Sequence, residues 1–206
     1  MIENVVFDLS EVLLPGIIGV EEQLGLRTGK SEDVIARAMG SYPYYEKDNN
    51  LDRLLKGELS YESYRAEFLC EIGLSREVAS VFDQECTKMF DSPYPYTERM
   101  IKNTAKSCNL FLLSDHCETW VEYIRNKHNF FDYFQGLVWS YEIAATKKST
   151  EPFEAIINKY QLNPALSLFV DDNEINIDNA KYHGFKTVHF TGEESINEVY
   201  RAIKSG

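Results

Sequence analysis

One local pattern recurs along the chain and constrains its fold more than any other feature: a short apolar run of strand length. The runs are "NVVFDL" at 4–9, "NLFLLS" at 109–114, "GLVWS" at 136–140, "LSLFVDD" at 166–172 and "KTVHF" at 186–190. Runs this short and unbroken suit strands buried on both faces. Between the later four lie segments with helical periodicity, "ETWVEYIRNK" at 118–127, "EPFEAIINKY" at 151–160 and "NIDNAKYHG" at 176–184. Strand and helix alternate, which predicts an α/β fold with a parallel sheet and right-handed crossovers. A helix over about Tyr96–Lys106 precedes the second strand, and "SINEVYRAIK" closes the chain as a last helix.

The interval between the first two strands is far too long for a crossover and must hold a structure of its own. From Ile17 to Phe90 only helical patterns are visible. They are "SEDVIARAMG" capped by Ser31, "NNLDRLLKG" ending at Gly57, "SYESYRAEFLCEIG" between Ser60 and Gly73, and "SREVASVFDQECTKMF" capped by Ser75. The chain therefore reads as an α/β core over 1–16 and 92–206 with an all-helical insert over 17–91, and "DSPYPYTER" at 91–99 as the return linker. The tyrosines of "SYPYYEKDNN" pack the insert or line a pocket.

At 206 residues and 44% apolar content the chain can bury a sizeable core. Its net charge of -12 repels a polyphosphate backbone, so nucleic acid is not expected as a partner. No stretch approaches the roughly 18 apolar residues of a membrane span, and "MIENVVFDLS" lacks the pattern of a secretion signal, so a cytoplasmic location is expected. Cys70, Cys86, Cys108 and Cys117 form neither a CxxC nor a Cys/His cluster, which fits reduced structural thiols. Monomer and homodimer are both compatible with the sequence.

In an open parallel sheet, ligands bind beyond the carboxyl ends of the strands. Asp8 ends the first strand, Ser114 the second, Asp171 and Asp172 the fourth, and Lys147 lies shortly after the third. Each is unremarkable alone, as a cap, a turn residue or a surface charge. Together, three carboxylates at adjacent strand ends repel one another unless a divalent cation lies between them. Mg²⁺ is the natural candidate, because it takes carboxylate oxygen and accepts a phosphate oxygen as a further ligand. A lysine and a serine hydroxyl would hold the remaining phosphoryl oxygens, leaving Asp8 as nucleophile. A small phosphorylated metabolite is the expected partner.

The motifs "VVFDLSEVL", "LFLLSDH", "WSYEIAATKK" and "LFVDDNEINIDNAKYHGF", in this order, resemble the haloacid dehalogenase (HAD) superfamily, specifically its phosphatase branch with a helical cap after the first strand. The last motif and "LKGELSYESY" resemble bacterial sugar phosphatases that act on α-glucose 1-phosphate. The resemblance implies a Rossmann-like core and a Mg²⁺-dependent hydrolase. It implies that Asp8 forms an aspartyl-phosphate, that Asp171, Asp172 and the Ser10 carbonyl belong with Asp8 to the metal site, and that Ser114 and Lys147 hold the phosphoryl group. Asp115, beside Ser114, is implied on the substrate side. Lys147 aligns with the family lysine ahead of its neighbour Lys148.

Most family phosphatases carry a second Asp where Ser10 stands, as acid for the leaving group and base for water. A missing acid/base costs about 10²–10⁴ in rate. Three readings stay open: a substrate whose leaving group needs little protonation, such as an anomeric oxygen; substitution by Glu11, although adjacent residues of an extended segment point apart; or a site that binds phosphate without turnover. A 2-haloacid dehalogenase is a further alternative, since halide departure needs no acid, but paired Asp171 and Asp172 serve a metal-free site poorly. His116, just past Ser114, reads as an exposed loop histidine, with substrate contact as the alternative, Asn173 and Asn176 as shaping the acidic loop or capping a helix, and Trp139 and Tyr141 as core packing, with the site rim as the alternative.

Overall fold

The structure, a computed structural model, describes residues 1–205. The five apolar runs form strands β1 (Asn4–Phe7), β2 (Asn109–Ser114), β3 (Phe134–Trp139), β4 (Ser167–Asp171) and β5 (Lys186–His189). All are parallel, in the order β3-β2-β1-β4-β5. β1 is central, with Val6 opposite Phe111 of β2 on one side and Phe169 of β4 on the other. Alternation along the strands splits the apolar residues between two layers. Val5 and Phe7 face the larger cluster, and Val6, Phe111 and Phe169 face a smaller one completed by Phe153, Ile156 and Ile177.

Between β1 and β2 lie α1 (Val20–Thr28), α2 (Glu32–Met39), α3 (Asn50–Leu55), α4 (Tyr61–Glu71), α5 (Ala79–Phe90) and α6 (Thr97–Thr104). Ser31 and Ser60 cap α2 and α4 through their side-chain oxygens, as expected, and Asn49 caps α3. The later helices are α7 (Glu118–Lys127), the short α8 (Ser140–Ile143), α9 (Glu151–Tyr160), α10 (Glu174–Tyr182) and α11 (Ser195–Ser205).

The differences from the sequence reading are local. α1 carries a weak apolar pattern interrupted by Gly25 and was not distinguishable by periodicity. Ser75 does not cap α5. Its carbonyl accepts the Val78 amide, closing a 3-10 turn that feeds the helix. α10 starts two residues early because the Asn173 side chain accepts the Ile175 amide. All four cysteines are free, with Cys70 exposed and the others buried.

The inserted helices do not stand apart from the sheet: the larger apolar cluster runs without a break from Val5 and Phe7 to Tyr64, Phe68 and Phe82. The end of α3 is fastened to the loop after β3. Ser140 Oγ donates to the Leu55 carbonyl at 2.5 Å, and Gly57, at φ 72°, lies so close that a Cβ there would stand 3.0 Å from the Tyr141 carbonyl.

Candidate active site

Strand order reverses direction at β1, where the chain continues to β2 on one side and reaches β4 on the other, so the carboxyl ends of β1 and β4 flank the natural ligand crevice. Asp8 and Asp171 stand at those ends. Both are buried, at 6% and 0% exposure, and the Asp8 amide donates to the Val170 carbonyl at 2.9 Å. Asp172 follows, partly buried. One carboxylate oxygen from each of Asp8, Asp171 and Asp172 lies within 4.8 Å of the others.

The Lys147 ammonium, 1% exposed, sits between two of them, 2.7 Å from Asp8 Oδ1 and 2.6 Å from Asp171 Oδ2. Asp8 Oδ1 also accepts the Leu9 amide at 2.6 Å, so that oxygen is tethered twice. Asp171 is oriented by the Asn173 amide at 2.8 Å and by Asn176 Nδ2 at 3.0 and 3.2 Å, so the two asparagines both shape the acidic loop and, in Asn173, cap the following helix. Lys148 points elsewhere: its ammonium lies 3.5 Å from the centre of the Tyr45 ring. Both oxygens of Asp115 accept the Lys147 amide, at 3.1 Å each. Asp115 fixes the loop that carries the lysine.

One ammonium faces three clustered carboxylates, and the electrostatics record the shortfall. Burial pushes Asp171 up, and Asp8 pushes it further, against the pull of Lys147. Asp172 is raised by burial and then by repulsion from Asp8 and Asp171. Burial lifts Asp115 to about 7 despite Lys147. For Lys147, burial opposes the charge, but Asp171, Asp8 and Asp115 outweigh it and hold the ammonium firmly protonated. Asp8, Asp171 and Asp172 outnumber the ammonium by two charges, those of one divalent cation, before Asp115 is counted, and an all-oxygen donor set suits a hard one. The residues present therefore fit a Mg²⁺ ion.

Ser114 Oγ, at the end of β2, is buried and has no hydrogen-bond partner among the described residues. A buried hydroxyl without a partner costs free energy unless something fills its place, and a phosphoryl oxygen would. Ser10 hydrogen-bonds through Oγ to His116 Nε2 at 2.9 Å. His116 corrects the sequence reading: it is not an exposed loop histidine but 2% exposed, walled by Phe90, Trp120 and Trp139, and pushed down to about 3 by burial and by the Lys147 charge. No periodicity could have found it, because the loops after β1 and β2 meet only in the folded chain. Glu11, at φ 59°, gives one oxygen to the Gly16 amide at 2.8 Å and the other to the Tyr94 hydroxyl at 2.6 Å. Trp139 packs in the core, 1% exposed.

A parallel sheet with an acidic cluster and a lysine at its switch point defines a class, and the comparisons place the chain in it. The family model described as haloacid dehalogenase-like hydrolase matches residues 2–184, and the chain belongs to that family. A D-ribitol-5-phosphate phosphatase from Bacteroides thetaiotaomicron is 27% identical over 195 residues, covering 91% of each chain. Among solved structures, a HAD-like family hydrolase from Porphyromonas gingivalis superposes with a TM-score of 0.73 at 22% identity, over 99% of this chain and 98% of that one. A HAD family enzyme from B. thetaiotaomicron, in complex with magnesium and inorganic phosphate, gives 0.71 at 20% identity, over 91% and 93%. Among the described residues, no helix is long and apolar enough to cross a membrane.

Proposed function

We propose that the chain is a Mg²⁺-dependent phosphatase acting on a small sugar or polyol phosphate, with Asp8 as nucleophile and residues 17–91 as a cap over the site. The observation that carries this reading is the charge deficit at the switch point: Asp8, Asp171 and Asp172 gathered within 4.8 Å around a single buried ammonium. Mg²⁺, held by these three carboxylates and the Ser10 carbonyl, would neutralise charge on the phosphoryl oxygens. The tethering of Asp8 Oδ1 by Leu9 and Lys147 leaves the second carboxylate oxygen to attack phosphorus. The ester oxygen departs with the P–O electron pair and takes a proton from solvent to become the alcohol, leaving the phosphoryl group on Asp8. Water then attacks phosphorus and gives up a proton to solvent as the P–O bond to Asp8 breaks, releasing inorganic phosphate and restoring the carboxylate. Lys147 and Ser114 hold the transferred group throughout. Asp115 serves this site by holding the Lys147 loop, rather than by touching substrate.

The B. thetaiotaomicron relative supports a polyol or sugar phosphate as the substrate class. A terminal phosphate of that kind sits on a primary alcohol, a poorer leaving group than an anomeric oxygen, so a good leaving group need not be what makes Ser10 tolerable. The test is a phosphate-release screen over sugar 1-phosphates, sugar 6-phosphates and polyol 5-phosphates, with Mg²⁺ or EDTA and an Asp8→Asn control. Release that requires both Mg²⁺ and Asp8 is expected. Absence of Asp8-dependent release from every ester overturns the reading, and halide release from a 2-haloacid would then replace it.

A further inference from the structure

We infer that His116 is a positioning residue that aims the Ser10 hydroxyl hydrogen at the departing ester oxygen, making Ser10 a neutral hydrogen-bond donor in the place of an acid/base carboxylate. The inference rests on the phosphatase reading above. It starts from the two ring nitrogens of His116. Nε2 meets Ser10 Oγ at 2.9 Å, whereas Nδ1 is buried and has no partner among the described residues. A hydrogen on Nδ1 would leave a buried N–H donor orphaned, and orphaned N–H groups are rarer in folded proteins than under-used acceptors. A doubly protonated ring would add an unpaired charge inside a wall of Phe90, Trp120 and Trp139. The remaining form carries its hydrogen on Nε2 and donates it to Ser10 Oγ, leaving Nδ1 as a bare lone pair.

That choice fixes Ser10. Its oxygen accepts from His116, so its own hydrogen is free to be donated to something else, and among the described residues no other group bonds Ser10 Oγ. Ser10 is only partly buried and lies two residues beyond Asp8, while His116 lies two residues beyond Ser114. The pair therefore ties the loop carrying the nucleophile to the loop carrying the orphaned hydroxyl. A serine does not ionise here and delivers no proton. It does offer a hydrogen bond to an oxygen that gains negative charge as the P–O bond breaks, an interaction stronger in the transition state than in the bound ester.

The experiment compares p-nitrophenyl phosphate, whose leaving group needs little help, with phenyl phosphate, whose leaving oxygen carries more charge. Full-length wild type, Ser10→Ala, His116→Met, His116→Gln, the Ser10→Ala/His116→Met double variant and Asp8→Asn are measured with Mg²⁺. Ser10→Ala and His116→Met should each lose about fivefold more kcat on phenyl phosphate than on the nitrophenyl ester, with KM little moved, the size expected of one hydrogen bond. The double variant should be no worse than Ser10→Ala. His116→Gln, whose amide N–H can reach Oγ, should recover most of the phenyl phosphate rate. Ring ¹⁵N spectra should show the His116 hydrogen on Nε2. Equal losses on both esters, additive losses in the double variant, or a hydrogen on Nδ1 would each overturn this inference alone. Absence of Asp8-dependent release from either ester would overturn the phosphatase reading with it.

Discussion

Two buried acidic centres in this molecule have opposite electrostatics. Asp52, on α3 of the inserted helices, is 1% exposed. Each of its oxygens is paired: one accepts the Tyr45 hydroxyl at 2.5 Å and Thr146 Oγ1 at 3.2 Å, the other the Asp48 amide at 2.8 Å and the Lys56 ammonium at 2.6 Å. Burial alone would raise its pKa, but Lys56, Tyr45 and Asp48 together hold the carboxyl below its ordinary value. At the ends of β1 and β4 Asp171 is equally buried and Asp172 partly so, yet burial leaves both raised, because the one lysine they share with Asp8 does not offset it and Asp8 repels them. A buried carboxylate with its own cation is a staple. Carboxylates that outnumber their cation form a site, and the deficit rather than the burial separates the two cases.

The comparison breaks first at Asp8. Asp8→Asn keeps the shape of the side chain and removes the oxygen proposed to attack phosphorus, so phosphate release should fall by at least about 10³-fold while the circular dichroism spectrum is kept. Asp52→Asn should do the reverse. Loss of a buried, paired charge costs about 3 kcal/mol, a fall of about 6–12 °C in Tm for a chain this size. Because the folded-state pKa of Asp52 lies below the unfolded value, its contribution is present above about pH 4 and is lost as pH falls through the folded-state value. The Tm gap between wild type and Asp52→Asn should therefore close in acid. A stable Asp52→Asn protein at pH 7 would show that Asp52 is not a staple.

How much of this was legible beforehand follows from which interactions are local. β1 to β5 were readable because strands buried on both faces are runs of apolar residues, and Asp8, Ser114 and Asp171 were readable because they end those runs. Lys147 was separable from Lys148 only by the family pattern, and the folded chain gives the reason, one ammonium lying between Asp8 and Asp171 and the other on Tyr45. Asp52 had no signal. It lies beside Leu51 in a short amphipathic segment, and nothing in "NNLDRLLKG" states that Thr146, 94 residues away, will donate to it. The contact of Ser10 with His116 spans 106 residues and is equally invisible.

A smaller effect separates the two centres by metal and pH. Burial holds Asp115, Asp171 and Asp172 above the ordinary value of 3.8, so between about pH 4 and 7 these three carboxyls bind more protons in the folded chain than in the unfolded one. Stability from this cluster then falls as pH rises through that window. Mg²⁺ competes with those protons, so saturating Mg²⁺ at about 100 times its Kd should add about 2.7 kcal/mol, or roughly 5–10 °C in Tm, near pH 8 and much less near pH 5. Thermal melts with Mg²⁺ or EDTA at both pH values measure it. Equal increments at the two would mean the cation binds elsewhere.

The smallest effect asks to which centre Glu11 belongs. It lies next to Ser10, where a substitute acid/base would be wanted, but its backbone occupies the left-handed region at φ 59° and both of its oxygens are committed, to the Gly16 amide and the Tyr94 hydroxyl. Burial, and then the Glu11 carboxylate, push the Tyr94 hydroxyl up, so the phenol stays protonated and keeps donating. Glu11 thus fastens the turn after β1 to the return linker, as Asp52 fastens α3 to the loop of Thr146. Glu11→Gln keeps an acceptor for one of the two donors and should cost about 1 kcal/mol in stability. Its rate should stay within about threefold of wild type, far from the 10²–10⁴ expected for a lost acid/base. A loss of about 10² in kcat with Tm intact would move Glu11 from the staples to the site and would make the Ser10 hydroxyl its accessory.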